Sequence, residues 1–429
     1  MTENDSENGS DAIGDGGTVV RESPSGSERS RLERLLDMKN RERYVALFTA
    51  LGVLAFPYFL IEVLGVLEPL TGLSLGGYQG LPTLILIYGV VVVGYNVLLG
   101  FTGLLSFGHA AFFGVAAYAA ALFSVNVVNS PLAMIVVAAV VGTLLAWPIG
   151  FLSIRRSGVY FAVLTLTFGQ IFYGLAMGPM SWLTNGDDGF TPQPGELFGI
   201  FRLEWPMGLI IERKLGVQLT ALASNLLEVL HFTPRYLLVG GFTVAAVVAA
   251  HRIIKSPYGL IFKALGQNEQ RVEFVGLNVF RYKLMAFVIS GAFAGVGGGL
   301  YTLYKTSIIH PNGTLYWVIS GDFVIMTAVG GVGTLIGPLV GAAVFEYIRL
   351  VLSGLSIFGI EIGSAWRLLL GLAFVLIVAF LPKGVYGAIR GIAHRIAVKL
   401  GAETTGTTTV PDDAPSSDET PAAGKGGDD

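Results

Sequence analysis

The sequence predicts an all-α polytopic membrane protein with about ten transmembrane helices and both termini cytoplasmic. Three observations lead there. Of the 429 residues, 53% are hydrophobic and only 13% are charged, and mean hydropathy is +0.66. The apolar residues fall into ten runs, most of them near the ~20 residues that cross about 30 Å of hydrocarbon. The runs do not alternate apolar with polar positions, which a membrane β-barrel requires. Cysteine is absent, so disulfides, thiolate metal sites and a cysteine nucleophile are excluded.

The chain opens with residues 1–43, acidic and Gly/Ser-rich at first and then basic from Arg29 to Arg43. This composition predicts a disordered cytoplasmic segment. A cleaved leader would carry its short apolar region nearer Met1, so 44–67 is expected to be a retained first span. The further runs are 82–100, 104–124, 132–152, 158–178, 235–252, 284–304, 318–331, 335–357 and 366–382. The membrane domain is therefore 44–382, and the runs at 318–331 and 366–382 are the shortest. A C-terminal tail covers 383–429 and reads as disordered from about 401, where Thr, Ser, Pro, Gly and Asp dominate.

Basic residues orient the spans. The N-terminal flank, Arg155–Arg156, the 252–283 connection and the C-terminal flank are basic, whereas 68–81 and 125–131 carry no Lys or Arg. Ten spans place all four of these basic segments inside and both basic-free connections outside. The longest connection, 179–234, then lies outside. It contains the turn-rich WLTNGDDGFTPQPG and a less polar part, 215–230, that reads as a surface helix.

Small residues recur at four-residue spacing in two places: Gly291, Gly295 and Gly299, and Gly333, Gly337 and Gly341. Such stripes let helix backbones approach closely in lipid. In the third span Ser106, Ala110, Ala117 and Ala121 form a small face beside His109. Polarity nominates Ser106, His109, Thr165, Thr167 and Gln170 as candidates for a translocation path, with helix packing as the plain alternative for each. Thr165 and Thr167 diverge by ~200° on a helix, so at most one of them faces a pore.

Ionisable residues inside spans are functional candidates by default. Here they are Glu62, His109, Asp322, Glu346 and Arg349; the last two are three residues apart and can pair on one helix. No relay of buried acids suits a proton-coupled pump. Neither HExxH nor GxxxxGK[ST] occurs, so a zinc protease and an ATP-binding P-loop are not indicated. No catalytic, cofactor-binding or metal-ligating residue is nominated. Energy for uphill transport must then come from another chain.

The 252–283 connection suits that need. It carries six basic residues against two acids, and Ile261, Leu265, Val272 and Val275, with Asn268 between, recur at helical steps. It reads as an amphipathic cytoplasmic helix, offered either to a partner or to the headgroup layer.

Several segments, in order, resemble a known family: GLLSFGHAAFFGVAAYAAALF, TNGDDGF, KALGQNEQRVEFVGLNVFRYKLMAFVISGAFAGVGGGLY, GGVGTLIGPLVGAA and FLPKGVYG. They are similar to the membrane subunits of branched-chain amino acid ABC importers, closer to the LivM-type than to the LivH-type subunit, over about residues 80–390. The resemblance implies a permease of the cell membrane without cofactors of its own, surrounded by lipid and not binding nucleic acid. Its implied partners are a homologous LivH-type permease subunit, two ABC ATPase subunits and an extracellular or periplasmic substrate-binding protein. The family's coupling loop maps onto Ser256–Gly276, with Ala264, Gln267, Asn268, Glu269, Arg271, Glu273 and Gly276 as the ATPase-coupling residues. Gly266 departs from the family pattern and leaves two starts for the helix, Tyr258 or beyond Gly266. The implied substrates are leucine, isoleucine and valine. Urea or short amides are the alternative within the family, and an ion-coupled secondary amino acid transporter is the alternative outside it.

Overall fold

Each of the ten apolar runs carries a helix. The computed structural model describes residues 44–53, 55, 80–197, 203, 233–353, 356–357, 360–361, 366–381, 384–388 and 391. Residues 1–43, Glu62, the expected surface helix at 215–230 and the tail from 401 lie outside them. The elements below belong to one compact unit, Met1–Gly387.

Helix α1 is Tyr44–Val53. After it come α2 (Leu81–Thr102), α3 (His109–Asn126), α4 (Pro131–Ser153), α5 (Val159–Met177) and a short α6 (Ser181–Thr184). The second half comprises α7 (Pro234–Lys255), α8 (Pro257–Gln267), α9 (Glu269–Phe274), α10 (Val279–Tyr304), α11 (Pro311–Thr314), α12 (Trp317–Gly330) and α13 (Gly337–Ser353). A two-stranded hairpin, β1 (Ser356–Ile357) with β2 (Ile360–Glu361), leads to α14 (Trp366–Phe380). Among the described residues, seven stretches are long and apolar enough to cross a membrane: α2, α3, α4, α5, α7, α10, and Pro311–Gly330, which joins α11 to α12. Two expected spans are shorter helices among the described residues, α13 and α14; of the expected first span, only α1 and residue 55 are described. The run 335–357 is not helical throughout, since Ser356–Ile357 belong to the strand pair.

Helices α2 and α10 form the centre. Almost all of α2 is buried, and α10 packs along α4, α2 and α3. Around them, α4 shows how a peripheral helix divides. Its Leu132, Val136, Val140 and Leu144 recur every fourth residue and are exposed, whereas Met134, Ile135, Ala138 and Ala146 are buried. A wholly apolar helix with one exposed apolar stripe is the pattern of a lipid-facing span.

Glycine explains how α4 and α10 meet. A Cβ on Gly295 would lie 2.6 Å from the Ala138 carbonyl oxygen and 3.1 Å from Gly142 Cα; one on Gly299 would lie 2.8 Å from Ala138 Cβ. The stripe Gly291, Gly295 and Gly299 is thus a backbone-to-backbone seam. The second stripe begins in a turn, as a tight turn at Gly330–Gly333 would have it. Gly333 belongs to the turn between α12 and α13, not to a helix, and the close contact is made by Gly330, Gly337 and Gly341.

The described part of the long 179–234 connection is tied down. Phe190 and Ile309 exchange two backbone hydrogen bonds of 2.9 Å. Asn312 accepts from the Tyr173 hydroxyl at 2.6 Å and donates to Asp187 at 3.3 Å.

Candidate functional site

Two groups of residues stand out: a helical hairpin between α7 and α10, and a polar knot around an unwound segment between α2 and α3.

The hairpin is built from three polar caps. Ser256 ends α7 and starts α8; its hydroxyl donates to the Ile253 carbonyl at 2.6 Å and accepts from the Gly259 amide at 3.3 Å. Pro257 follows at the first helical position, where its missing N–H is harmless. Asn268 interrupts the helix with extended backbone, φ −162° and ψ 109°, and its side chain accepts from the Arg271 amide at 3.1 Å. Asn278 repeats that bond with Arg281 at the start of α10. Between them, Gly276 at φ 84° closes α9. Its amide bonds the Glu273 carbonyl at 2.8 Å, and the Leu277 amide bonds Val272 at 3.3 Å. This is a Schellman ending, and its left-handed residue is nearly always glycine.

The expected single amphipathic helix is therefore two helices meeting at Asn268. Leu265 and Val272 are buried as the periodicity implied, together with Phe262, but Val275 is 78% exposed because it follows the end of α9. Gly266 does not delay the helix, which starts at Pro257. Its role is contact: a Cβ there would stand 2.6 Å from the Phe101 carbonyl oxygen at the end of α2. Lys263 adds its ammonium over the Phe101 ring, 5.7 Å from the centroid.

Of the nominated coupling residues, Gln267, Asn268, Glu269, Arg271, Glu273 and Gly276 are exposed and Ala264 is half-buried. Ala264, Gln267, Asn268 and Arg271 line one hollow of about 450 Å³. Glu269 is engaged within the chain: its carboxylate lies 2.6 Å from the ammonium of Lys283, whose side chain is only 6% exposed. The sequence marks Lys283 only as one of the six basic residues of the connection, and it does not single out the exposed Phe274, at 89%. Phe274 is the last residue of the otherwise largely polar α9 and carries no signal of its own.

The knot explains His109. Residues 103–108 are not helical, so the third span starts five residues later than its apolar run. Unwound backbone inside a membrane protein needs partners from the protein itself. Tyr95 donates its hydroxyl to the Ser106 carbonyl at 2.9 Å. The Phe107 amide donates to Thr165 Oγ1 at 3.1 Å, the Gly108 amide to Ser106 Oγ at 3.3 Å, and the Ala110 amide to Ser320 Oγ at 2.8 Å. His109 is fully buried; Nδ1 meets Ser106 Oγ at 3.2 Å and Nε2 meets Ser290 Oγ at 2.8 Å. Its ring stands edge-on to Tyr95, 4.6 Å between centroids. Ser106, His109 and Thr165 are thus brought together. Thr167 is exposed on the other side of α5, as the helical divergence requires, and donates to the Val163 carbonyl. Gln170 stands apart, its Nε2 buried with no hydrogen-bond partner among the described residues. Ser290 and Ser320 were not foreseen, because a serine in an apolar span is unremarkable until its partner is known.

Known proteins resemble this chain in sequence. Relatives include the high-affinity branched-chain amino acid transport system permease protein LivM of Salmonella typhimurium, 25% identical over 66% of this chain and 67% of its own length. The nucleoside ABC transporter permease protein NupC of Lactococcus lactis is 28% identical over 35% of this chain and 48% of its own. The ribose import permease protein RbsC of Haemophilus influenzae is 26% identical over 34% and 44%. No solved structure matches. The family model described as branched-chain amino acid transport system / permease component matches residues 78–380. With a helical membrane body and a match over most of its length, this chain belongs to that family and is a multi-pass, non-catalytic membrane subunit of an ABC transporter.

Proposed function

We propose that this chain is the LivM-type permease subunit of an ABC importer for leucine, isoleucine and valine. The hairpin at 256–276 receives force from a partner ATPase on the cytoplasmic side. The observation that carries this reading is the hairpin's construction. It is capped at three points and seated on the end of α2 at Gly266. Lys283 and Glu269 tie it to α10, while Arg271, Glu273 and Phe274 point outward. A rigid element with an exposed polar and apolar face suits a docking partner. The basic excess of 252–283 supports its cytoplasmic placement. Two relatives named for branched-chain amino acids overlap 66% of this chain, against 35% for the nucleoside and 34% for the ribose relative, which favours amino acids.

The working cycle is alternating access. A substrate-binding protein delivers the amino acid to the outer loops, and a LivH-type subunit completes the pathway beside this chain. Closure of two ATPases on ATP enters through the hairpin. Ser106, His109 and Thr165 sit where a helix is unwound, a feature that marks substrate pathways in other transporters.

Cells deleted for this gene, with and without a plasmid copy, test the substrate. Uptake of labelled leucine, isoleucine and valine is expected to fall and to be restored. Loss of urea uptake instead would reassign the substrate, uptake driven by an ion gradient after ATP depletion would reassign the mechanism, and unchanged uptake of all four compounds would refute the reading. Arg271→Glu and Glu273→Lys test coupling: each is expected to reduce co-purification of the ATPase while leaving the membrane domain folded.

A further inference from the structure

The end of α10 opposite the hairpin borders a second cavity, of about 310 Å³. Its walls come from the start of α2, the end of α10 and the second half of α13. Three kinds of group meet there. Glu346, almost fully buried, pairs with Arg349 at 3.0 Å. Lys305 stands exposed at one edge, its ammonium 6.0 Å from the centroid of the Tyr304 ring. Tyr88, Tyr301 and Tyr304 supply aromatic wall, with Tyr88 and Tyr301 stacked at 6.4 Å.

From these the geometry points to a binding site for a zwitterionic α-amino acid with an apolar side chain. A buried carboxylate beside a guanidinium is costly to keep within a membrane domain, and such groups mark substrate or ion routes. The spacing fits the ligand. An α-amino acid carries its carboxylate and ammonium two bonds from each other, on the scale of the 3.0 Å between Glu346 and Arg349. Arg349 can bind the α-carboxylate through a bidentate fork, and Glu346 can accept from the α-ammonium. The ligand then takes over both halves of the resident pair and leaves no charge unpaired. Lys305 adds a second positive group for the arriving carboxylate. Leu81, Leu84 and Leu350 continue the tyrosine wall and offer apolar surface to a branched side chain. The volume lies at the lower end of the ~300–1,000 Å³ of ligand cavities, in keeping with a small solute. Urea has neither charge and gains nothing from this pair, so the site selects amino acids over amides. The inference rests on the importer reading above, which places this end of α10 on the side where substrate arrives.

The complete importer, reconstituted in proteoliposomes with its ATPases and binding protein, tests it with labelled L-leucine as the probe. The swap Glu346→Arg with Arg349→Glu keeps an ion pair but reverses its polarity. A merely structural pair tolerates that exchange. A binding pair should lose it, with leucine KM raised about tenfold or more, as the loss of one charged hydrogen bond gives. Lys305→Ala and Ser353→Trp act at the exposed rim, independently of whether the swapped protein assembles. The first should raise KM about threefold, as a lost exposed charge contact does, and the second should lower uptake by narrowing the mouth. If both rim variants, and the swap where it assembles, keep KM and maximal rate within about twofold of the parent, the site does not exist. Failure of the unaltered importer to move leucine would overturn the functional reading instead, so the two failures are distinguishable.

Discussion

Glu269→Gln isolates one joint of the hairpin. The parent carboxylate sits 2.6 Å from Lys283 Nζ; the lysine side chain is 6% exposed and the glutamate 46%. The substitution keeps the shape and a neutral acceptor but leaves a nearly buried ammonium without its counter-charge. Breaking a fully buried pair from one side costs about 3–5 kcal/mol, whereas an exposed pair is worth about 0–1 kcal/mol. One partner of each kind gives an expected cost of about 1–3 kcal/mol. That cost falls on α9 and its Schellman ending, because the bond joins α9 to α10. Local opening of this turn should therefore become roughly 5–150 times more frequent, since each 1.4 kcal/mol is a factor of ten. Hydrogen–deuterium exchange of the full-length chain in lipid nanodiscs reads this directly at the amides of Arg271, Gly276 and Leu277. Exchange elsewhere in α10 should not change. Adding Lys283→Met removes the stranded ammonium and should restore most of the protection. Protection within twofold of the parent in the single variant would refute the claim that this ion pair holds the hairpin.

Other substitutions probe other joints. Gly276→Val forces a β-branched residue to φ 84°, which should destabilise the end of α9 by about 1–2 kcal/mol and show as faster exchange there, with the spans intact. Gly295→Leu drives a side chain into the Ala138 carbonyl; α4 and α10 must separate, and thermal unfolding in detergent should shift downward as expected for overpacking worth about 1–3 kcal/mol or more. His109→Phe keeps the ring but strips Ser106 Oγ and Ser290 Oγ of their imidazole partner, so an unfolding transition lowered by about 1–3 kcal/mol is expected; an unchanged transition would show that the histidine does not hold the knot.

Much of the fold was legible because lipid imposes a simple rule: apolar runs of near-spanning length become helices. The breaks were less legible. Periodicity carried smoothly from Ile261 through Leu265 and Asn268 to Val272, which disguised two helices as one. The signal for two was present in Asn268 followed by Glu269, an N-cap with an acid in the first turn. Gly266 looked like a flaw because its reason, the Phe101 carbonyl, lies far away in sequence and belongs to another helix. In the same way Gly108 lies in the unwound turn, yet the apolar run 104–124 around it reads as helix. His109 drew attention by polarity alone. That it meets Ser290 depends on how α3 and α10 cross, which no local pattern encodes.

Helix α10 is continuous over 26 residues, and so about 39 Å long. One end carries Lys283 and the hairpin, the other Tyr304 and the charged cavity, and Ser290, near the middle, is pinned to His109. A bar fixed near its centre is a lever. Tilting it by about 10° around that pivot moves each end by roughly 3 Å in opposite directions, a hydrogen bond's length. A push at the hairpin that tilted α10 would displace the distant cavity by a similar amount, and α4, α2 and α3, which pack along α10, would have to shift with it.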